Sequence, residues 1–395
     1  MNIAFDVRPL MTNSGQRGIG NYIKNLLLQY VKRGDINIQL MYSGEVKPAL
    51  AEAVTQCERV KWLRVPKIAD RFILRNFGFI YEGLFCRAFY RRLAQVVDLI
   101  HFTSPQEVIY GFPWFDTGAP RILTVHDIMS VTCPDLVYPH LDPLRHIFSR
   151  SLHRLLLRSY RRSDAFICDS AFTLEELKRF FHGKIGNAFT VLLGSEPFAL
   201  SQSELGEEAV RVRAKYSLPE NYFLYVGGLA GNKNVKAVFE ALSLKQSWPI
   251  CLAGPHGEDE VRALRSAFPN VKAVWLGYVD QADLDGLYGA ASAFVFPSLM
   301  EGFGLPVIEA MARGVPVICS DAASLPEAAG GAALMFDPYS VEALSSATER
   351  LAADRELRTE LKAKGLKRAE ELTWKRCADN TIEAYQRICA DYKSK

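Results

Sequence analysis

The feature that most restricts the fold of this chain is the alternation, along its whole length, of short apolar runs and amphipathic helical patterns. The β-rich runs lie at residues 2–7, 36–42, 98–103, 121–127, 165–170, 189–194, 222–228, 249–254, 273–278, 293–298 and 315–320. Such alternation predicts parallel sheets covered by helices, which is an α/β architecture. A chain of 395 residues is too long for one core, and each half has enough strands for its own doubly wound sheet.

The polar segment 195–215 interrupts this alternation and marks the predicted domain boundary. We therefore predict an N-terminal domain of residues 1–200 and a C-terminal domain of residues 201–373. No further strand follows residue 374, and we expect the helix of residues 374–395 to cross back to the first domain. Nucleotides bind doubly wound sheets at the carboxyl ends of the strands, so the loops that follow the strands are the places to search.

The composition narrows the class of protein. A hydrophobic content of 49% and a charged content of 23% are typical of a soluble globular chain. The eight cysteines contain no CxxC pair and no signal peptide is recognisable, which favours reduced thiols in the cytoplasm. No apolar run reaches the roughly 20 residues that span a bilayer. We expect a cytoplasmic protein that is at most peripheral at the inner face of a membrane.

The stretch "FPSLMEGFGLPVIEAMARGVPVICS" carries two glutamates, Glu301 and Glu309, around a Gly-Phe-Gly turn. We predict a helix from Leu305 to Arg313, with Pro306 at its N1 position and Gly314 just after its end. The free N–H groups of that helix start favour an anion, and carboxylates accept hydrogen bonds from vicinal hydroxyls. The combination fits a nucleotide-sugar, although a loop acid and a solvated helix residue are the simpler interpretation of the two glutamates.

Four more strings accompany this one: "RGIGNYIKNLL" (17–27), "TVHD" (124–127), "YVGGLAGNKNV" (225–235) and "LTWKRCA" (372–378). Together with the two glutamates at E-x7-E spacing, they resemble the ordered motifs of family 4 retaining glycosyltransferases. The resemblance covers nearly the whole chain and is strongest to bacterial mannosyltransferases of surface-polysaccharide assembly. It implies the GT-B fold, in which two Rossmann-like doubly wound parallel-sheet domains face each other across a cleft.

The resemblance also implies roles for individual residues. Glu309 would bind the ribose hydroxyls, and Lys233 would neutralise the leaving diphosphate, with the backbone of Gly18 closing over it. His126 would sit beside the transferred sugar and the β-phosphate. Glu301 would hold the sugar and diphosphate together with the main chain of the following turn, namely Gly302, Phe303, Gly304 and Leu305. The catalytic set is then His126, Glu301 and Lys233.

Some features depart from the family pattern or are less specific. Close relatives usually carry an arginine beside the lysine or after the preceding strand, where this chain has Asn232 and Gly228. The base is expected near Gly254 and Tyr278. A single histidine is often structural, but Asp127 could fix the tautomer of His126.

"HFTSP" (101–105) ends a neighbouring predicted strand, which places His101 on the acceptor side together with Asp127. Two other strings are discounted. "RGIGNY" is an incomplete dinucleotide fingerprint, because Ile23 stands where the third glycine belongs. "DLD" (283–285) matches a metal motif of another glycosyltransferase fold, but it opens a helical pattern, where acids favour the helix dipole. We predict neither a metal nor another cofactor.

Positive charge is concentrated in the first half. Residues 1–200 contain 25 Lys and Arg against 18 Asp and Glu, whereas residues 201–395 contain 22 against 26. The segment 61–92 mixes eight basic residues with aromatic ones, and the segment 145–162 places Arg150, Arg154, Arg158 and Arg161 on one helical face. Both favour an anionic membrane surface and a lipid-linked acceptor, with a solvated helix face as the alternative. We expect no nucleic-acid partner.

These observations predict a retaining, metal-independent hexosyltransferase that moves a hexose, by preference mannose from GDP-mannose, onto a growing and lipid-linked surface glycan. Transferases that use UDP-glucose or UDP-GlcNAc and a GT-B nucleotide-sugar epimerase or phosphorylase remain alternatives. A glycosidase with Glu301 and Glu309 as its acid pair would not need the phosphate-directed lysine and glycine loops. A non-catalytic sugar-nucleotide sensor would not need the complete residue set.

Overall fold

The structure divides the chain into two units, each of which is described by itself. The computed structural model describes residues 1–12, 15, 18–43, 54, 57–66, 86–104, 113, 115–137, 147, 150, 151, 153, 154, 157, 158, 160–196 and 202–394, with the backbone alone at 202 and 203. The first unit comprises Met1–Thr132, Leu141–Leu193 and Trp374–Lys395, and the second comprises Cys133–His140 and Gly194–Thr373. The division after Leu193 lies seven residues before the predicted boundary at 200/201, and residues 133–140 belong to the second unit.

Thirteen strands are found among the described residues. They are β1 Asn2–Asp6, β2 Asn37–Tyr42, β3 Val60–Arg64, β4 Leu99–Phe102, β5 Arg121–Val125, β6 Ala165–Cys168, β7 Asn187–Thr190, β8 Phe223–Val226, β9 Ile250–Ala253, β10 Ala273–Gly277, β11 Ala293–Phe296, β12 Val317–Ser320 and β13 Leu334–Phe336. Six of them, β4, β5, β6, β9, β11 and β12, are buried along their whole length, as expected where helices cover both faces of a parallel sheet.

The α-helices of the described residues alternate with these strands. They are α1 Gly18–Lys32, α2 Arg87–Leu93, α3 Met129–Thr132, α4 Pro134–Val137, α5 Ala171–Phe180, α6 Gln202–Tyr216, α7 Val235–Leu244, α8 Glu258–Ala267, α9 Gln281–Ala290, α10 Leu305–Ala312, α11 Leu325–Ala329, α12 Val341–Ala353, α13 Arg355–Glu371 and α14 Trp374–Lys393. No helix among them is both long and apolar enough to cross a bilayer.

Each unit contains one parallel sheet with the strand order of a dinucleotide-binding fold. The first sheet has the order β3-β2-β1-β4-β5-β6-β7, and the second has the order β10-β9-β8-β11-β12-β13. All pairings are parallel. The order reverses between β1 and β4 in the first unit and between β8 and β11 in the second. These two switch points are where such sheets bind ligands.

Two strands were not predicted, and one is displaced. β3 overlaps the start of the segment 61–92, which was interpreted as a membrane surface. It is an edge strand whose residues are partly buried or exposed, and its Trp62 ring packs edge-to-face on Tyr42 with centroids 5.6 Å apart. β13 has only three residues, and β7 begins two residues before the predicted run. Edge and short strands lack the continuous apolar run that identifies a buried parallel strand.

The final helix, α14, belongs to the first unit. Its Tyr385 hydroxyl accepts a hydrogen bond of 3.1 Å from the Tyr30 hydroxyl of α1, and its Asp379 pairs with Arg33 at 2.5 Å. Just before α14, the amide of Ser195 donates to the carbonyl of Leu372 at 2.9 Å. The first residues of the second unit after Leu193 therefore lie beside its last residues before α14.

Candidate functional site

The switch point of the second unit brings together two predicted site residues that are 68 positions apart. The loop after β8 carries Lys233, and the loop after β11 carries Glu301. The Lys233 ammonium donates a hydrogen bond of 2.7 Å to Oε1 of Glu301. The two side chains are 24% and 12% exposed, so the ion pair is partly withdrawn from water but remains accessible.

Asn232 joins the two loops. Its side-chain amide donates to the carbonyl of Met300 at 3.1 Å, and its own carbonyl accepts from the amide of Leu299 at 2.8 Å. Lys233 also lies 5.4 Å from the centre of the Phe296 ring, which holds its ammonium over the end of β11. Asn232, where the family resemblance leads us to expect an arginine, therefore has a structural role in this chain.

The turn between Glu301 and the start of α10 is stabilised by Gly304 and by a serine that the sequence analysis did not identify. Gly304 caps α10 with φ of 109°, and a Cβ added there would lie 2.6 Å from Cδ2 of Leu325. The buried hydroxyl of Ser324 donates to the carbonyls of Glu301 at 2.9 Å and Phe303 at 3.0 Å. The Ser324 hydroxyl thus holds the main chain of this turn in place.

The start of α10 differs from the prediction in one detail. Leu305 is the first helical residue, so Pro306 stands at N2 and not at N1. The phenyl ring of Phe303 is buried in the core, which leaves only its main chain for a ligand. In the first turn of α10, Pro306 has no N–H group and the amide of Val307 donates to the carbonyl of Gly304 at 3.0 Å, so Leu305 supplies the N–H at this helix start, four residues after Glu301.

Glu309 lies one turn inside α10 and is partly buried. Burial raises the pKa of this carboxyl, and the nearby charge of Arg313 opposes that effect. Arg313 itself donates to the Glu309 carbonyl at 2.9 Å and to Asp285 at 2.8 Å. A carboxylate in this environment gains from hydroxyl groups that donate to it, because they stabilise its charged form.

The expected base-binding edge contains two further features. Tyr278 follows β10 and is 78% exposed, so its ring is open to a stacking partner. The glycine at 254 has φ of 139°, and a Cβ there would lie 2.2 Å from the Gly227 carbonyl, which leaves room only for glycine. His256, which the sequence did not identify, donates from Nε2 to that same carbonyl at 3.1 Å, and burial lowers its pKa.

The acids of the "DLD" string are held by protein cations. Asp283 accepts from Tyr216 at 2.5 Å and pairs with Arg211 at 2.7 Å and with Lys215. Hydrogen bonds from Lys215 and Tyr216 lower the pKa of Asp283 to about 2. Asp285 pairs with Arg313, so this string fastens α9 to α6 and α10. Among the described residues no cluster of three or more His, Cys, Asp or Glu could hold a metal ion.

In the first unit, His126 follows β5 and both of its ring nitrogens are engaged. Nδ1 donates to Oδ2 of Asp169 at 2.5 Å, and Nε2 donates to the Thr103 carbonyl at 2.9 Å. Burial works against a charge on this imidazole, but Asp169 outweighs burial and the pKa of His126 is raised. The partner is thus Asp169 and not Asp127, whose carboxylate instead accepts from the amide of Met129 at 3.0 Å.

Replacing Asp169 by asparagine should expose this pairing through the pH dependence of stability. The pKa of His126 is raised in the folded protein. The pairing of His126 with Asp169 therefore contributes fully to the free energy of unfolding below the unfolded pKa of about 6.5, and this contribution is lost as pH rises through the folded pKa. We expect Asp169→Asn to lower the free energy of unfolding by about 3 kcal/mol at pH 6, as for a broken buried ion pair. Urea denaturation from pH 6 to 9 should show this difference shrinking as pH rises.

The control is Asp127→Asn, which removes a carboxylate next to the same histidine in sequence. It should alter the pH dependence much less than Asp169→Asn does. The reverse ranking of the two variants would show that the sequence-based choice of Asp127 was the better one.

The prediction for His101 is wrong. The side chain is 0% exposed inside β4, where Nδ1 contacts the Tyr385 hydroxyl at 2.5 Å and Nε2 contacts the Thr124 hydroxyl at 2.7 Å. Burial lowers the pKa of His101 to about 3, so the ring is neutral. It joins α14 to the sheet of the first unit and presents no surface to an acceptor.

Other predicted residues are described only in part. Gly18 is the first residue of α1 and is exposed, while Arg17 lies outside the described residues. Residues 67–85, with Phe72, Phe77, Phe79 and Phe85, also lie outside them, as do the side chains of Leu152, Leu155 and Leu156. The arginines at 150, 154, 158 and 161 are all exposed.

Comparison with known proteins gives the family. The model described as Glycosyltransferase Family 4 matches residues 16–185, and the model described as Glycosyl transferases group 1 matches residues 208–368. The O-antigen chain mannosyltransferase B of Escherichia coli is 35% identical over 278 residues, which are 67% of this chain and 70% of that relative.

Two further similarities extend over the whole chain. The serotype-specific mannosyltransferase WbdA of Escherichia coli is 25% identical over 418 aligned positions, which cover 98% of this chain but 48% of WbdA, so the chain spans about half of that relative. The sucrose-phosphate synthase of Thermosynechococcus elongatus superposes with a TM-score of 0.71 at 20% identity, over 99% of this chain and 100% of that one. The structural likeness shows the GT-B fold, and the sequence matches show that the chain belongs to glycosyltransferase family 4, close to bacterial O-antigen mannosyltransferases.

Proposed function

We propose that this glycosyltransferase of polysaccharide synthesis moves mannose from GDP-mannose onto a growing, lipid-linked surface glycan, with retention of configuration and without a metal ion. The observation that carries the proposal is the contact of Lys233 with Glu301 at the switch point of the second unit, next to the start of α10. One cation, one carboxylate and a glycine-lined turn that leads into a helix start are the groups that a sugar diphosphate requires.

The charge balance of the reaction explains each of these groups. When the bond between the sugar and the diphosphate breaks, negative charge grows on the departing phosphate. Lys233 and the amides of residues 303–305 would stabilise that charge, since oriented donors in a partly dry site cost no reorganisation. Without a donor, Lys233 and Glu301 satisfy each other; a bound donor would offer phosphate oxygens to the lysine and sugar hydroxyls to the glutamate.

Retention would follow from attack on the face that the diphosphate leaves. The acceptor hydroxyl forms the new bond to the anomeric carbon, the bond to the phosphate oxygen breaks, and that oxygen takes the hydroxyl proton. In this scheme no side chain has to accept a proton. His126, fixed by Asp169 and with a raised pKa, would serve as a rigid positive group beside the sugar and the β-phosphate.

The choice of mannose rests on the names of the relatives, two of which are an O-antigen chain mannosyltransferase and a serotype-specific mannosyltransferase of Escherichia coli. The geometry of the expected base edge does not favour guanine over uracil. Transfer from UDP-glucose or UDP-GlcNAc is therefore the second candidate. An epimerase would act on the same donors, but it would need no acceptor.

One assay separates these alternatives. The full-length protein is incubated with GDP-mannose, UDP-glucose or UDP-GlcNAc, with and without bacterial membrane extract, and released nucleotide is measured in buffer with excess EDTA. We expect GDP release that depends on the extract and is unchanged by EDTA, together with a higher melting temperature in GDP than in UDP. Nucleotide release from a UDP-sugar but not from GDP-mannose would identify that UDP-sugar as the donor. Activity that returned only with added Mg²⁺ or Mn²⁺ would reject metal independence.

The acceptor and the site of action belong to the same proposal. Residues 61–92 and 145–162 combine positive charge with apolar residues, which suits peripheral attachment to an anionic membrane on the cytoplasmic side. A lipid-linked acceptor would be reached there. In the assay above, an extract freed of lipid should lose its ability to stimulate GDP release.

A further inference from the structure

A basic cavity lies in the first unit, and its lining contains none of the residues assigned to the sugar donor. Its volume is about 510 Å³, and its lining includes Arg154, Arg158, Arg161 and Arg179 together with His182 and Phe180. We call this the arginine cavity. The four arginines come from two separate segments. Arg154, Arg158 and Arg161 fall within the basic run at 145–162, whereas Arg179 lies beyond it.

Local structure explains how the segments meet. Arg154 and Arg158 are one helical turn apart, and Arg161 follows in the turn before β6. Arg179 is in the last turn of α5, and His182 stands just beyond it with φ of 52°, a conformation that few residues other than glycine adopt. The amides of His182 and Gly183 donate to the carbonyls of Arg179 and Lys178 at 3.1 and 2.8 Å, which closes this helix end and turns the chain.

The charges in the cavity are poorly balanced. Arg179 pairs with Glu176 at 3.0 Å, one turn earlier on its own helix. Among the described residues, no carboxylate lies within 4.0 Å of Arg154, Arg158 or Arg161, and none lines the cavity. Like charges that converge in this way repel one another, and a bound anion would relieve that repulsion. Guanidinium groups bind phosphate oxygens in pairs, with two parallel hydrogen bonds from each arginine.

We infer that the arginine cavity binds a phosphate or diphosphate group of a partner molecule. Three arginines that have no carboxylate partner in the described part of the chain match the two or more charges of such a group, and the cavity has room for it and for part of what it is attached to. The partly buried ring of Phe180 supplies an apolar wall for that attached part. The inference concerns the first unit alone, so it holds whether or not the donor is GDP-mannose.

Calorimetric titration with inorganic pyrophosphate tests the site. The full-length protein is compared with the triple variant Arg154→Gln, Arg158→Gln, Arg161→Gln and with a matched control, Arg262→Gln, Arg355→Gln, Arg387→Gln, which removes three exposed arginines elsewhere. Lys233→Ala reports binding at the donor site. We expect the first variant to bind at least about tenfold more weakly, while the control and Lys233→Ala retain this binding. Equal affinity of the first variant and the unaltered protein would overturn the inference.

A second variant controls for the possibility that the glutamine variant loses binding because it misfolds. Replacing the same three arginines by lysine keeps the charge but removes the paired hydrogen bonds, so its affinity should fall between those of the other two proteins. Flotation with phosphatidylcholine vesicles, with and without phosphatidic acid, then identifies the source of the phosphate. Vesicle binding that requires phosphatidic acid and is lost in the glutamine variant indicates a lipid headgroup. Loss of pyrophosphate binding alone indicates a soluble phosphate compound.

Discussion

Replacing Lys233 by alanine should reduce kcat by about 10²- to 10³-fold, which is the usual loss when one donor to a developing anion is removed. In the proposed function this lysine is the cation that meets the leaving diphosphate, and Asn232 beside it is already engaged with the carbonyl of Met300. Stability should change little, by about 1 kcal/mol, because the Lys233–Glu301 pair is partly exposed. Transfer rates and urea denaturation of the same preparation measure the two effects.

Lys236→Ala is the matched control. This lysine lies in the first turn of α7, is 69% exposed and pairs with Glu240 one turn further along. It carries the same charge, three residues from Lys233, but it faces solvent. Both activity and stability should stay at the level of the unaltered protein. If Lys233→Ala retained kcat within twofold, another group would have to carry the phosphate charge.

Gly304→Ala should have the second largest effect, and in this case activity and stability fall together. The residue has φ of 109°, and the new methyl would meet Leu325 Cδ2 at 2.6 Å, inside a fully buried site. The backbone strain costs about 1–3 kcal/mol. Because this turn positions Glu301 and the start of α10, a displacement of about 1 Å would reduce kcat/KM by about 10²-fold.

Gly206→Ala provides the comparison for that variant. Gly206 lies inside α6 with ordinary helical geometry, and a Cβ there would meet nothing within 4 Å. The same chemical change should therefore raise stability by about 0.5–1 kcal/mol and leave transfer unaffected. Thermal unfolding and steady-state kinetics on both glycine variants make the contrast. Normal activity in Gly304→Ala would mean that the turn does not position the donor.

Local pattern was sufficient for most of the fold. A buried parallel strand requires a continuous apolar run, and eleven of the thirteen described strands have one that can be read directly. β3, with its partly exposed edge position, and the three-residue β13 do not meet that requirement. The helix after Gly304 was predicted correctly because proline and glycine have strong positional preferences near helix ends. Pro306, however, occupies the second helical position and not the first.

The residues of the candidate site also fall into two groups: those that the sequence analysis selected and those that only the structure shows. The order of motifs along the chain was enough to select Lys233, Glu301, Glu309 and His126. The residues that support them were not visible, since Ser324 and Asp169 reach their partners only through contacts across 21 to 43 positions of sequence. The burial of His101 was equally hidden, because a histidine that ends an apolar run looks the same whether it faces a rim or packs against Tyr385.

The amino-acid sequence alone thus determined the alternation of strands and helices, the family and the choice of the groups proposed to bind the donor. These follow from properties carried by single residues and their near neighbours: side-chain polarity, backbone preference and spacing. Only the tertiary structure decided which acid pairs with His126, what role Asn232 has, and that arginines from two distant segments line one cavity. Those outcomes depend on distances between residues far apart in the chain, which are set when the sheets and helices pack together.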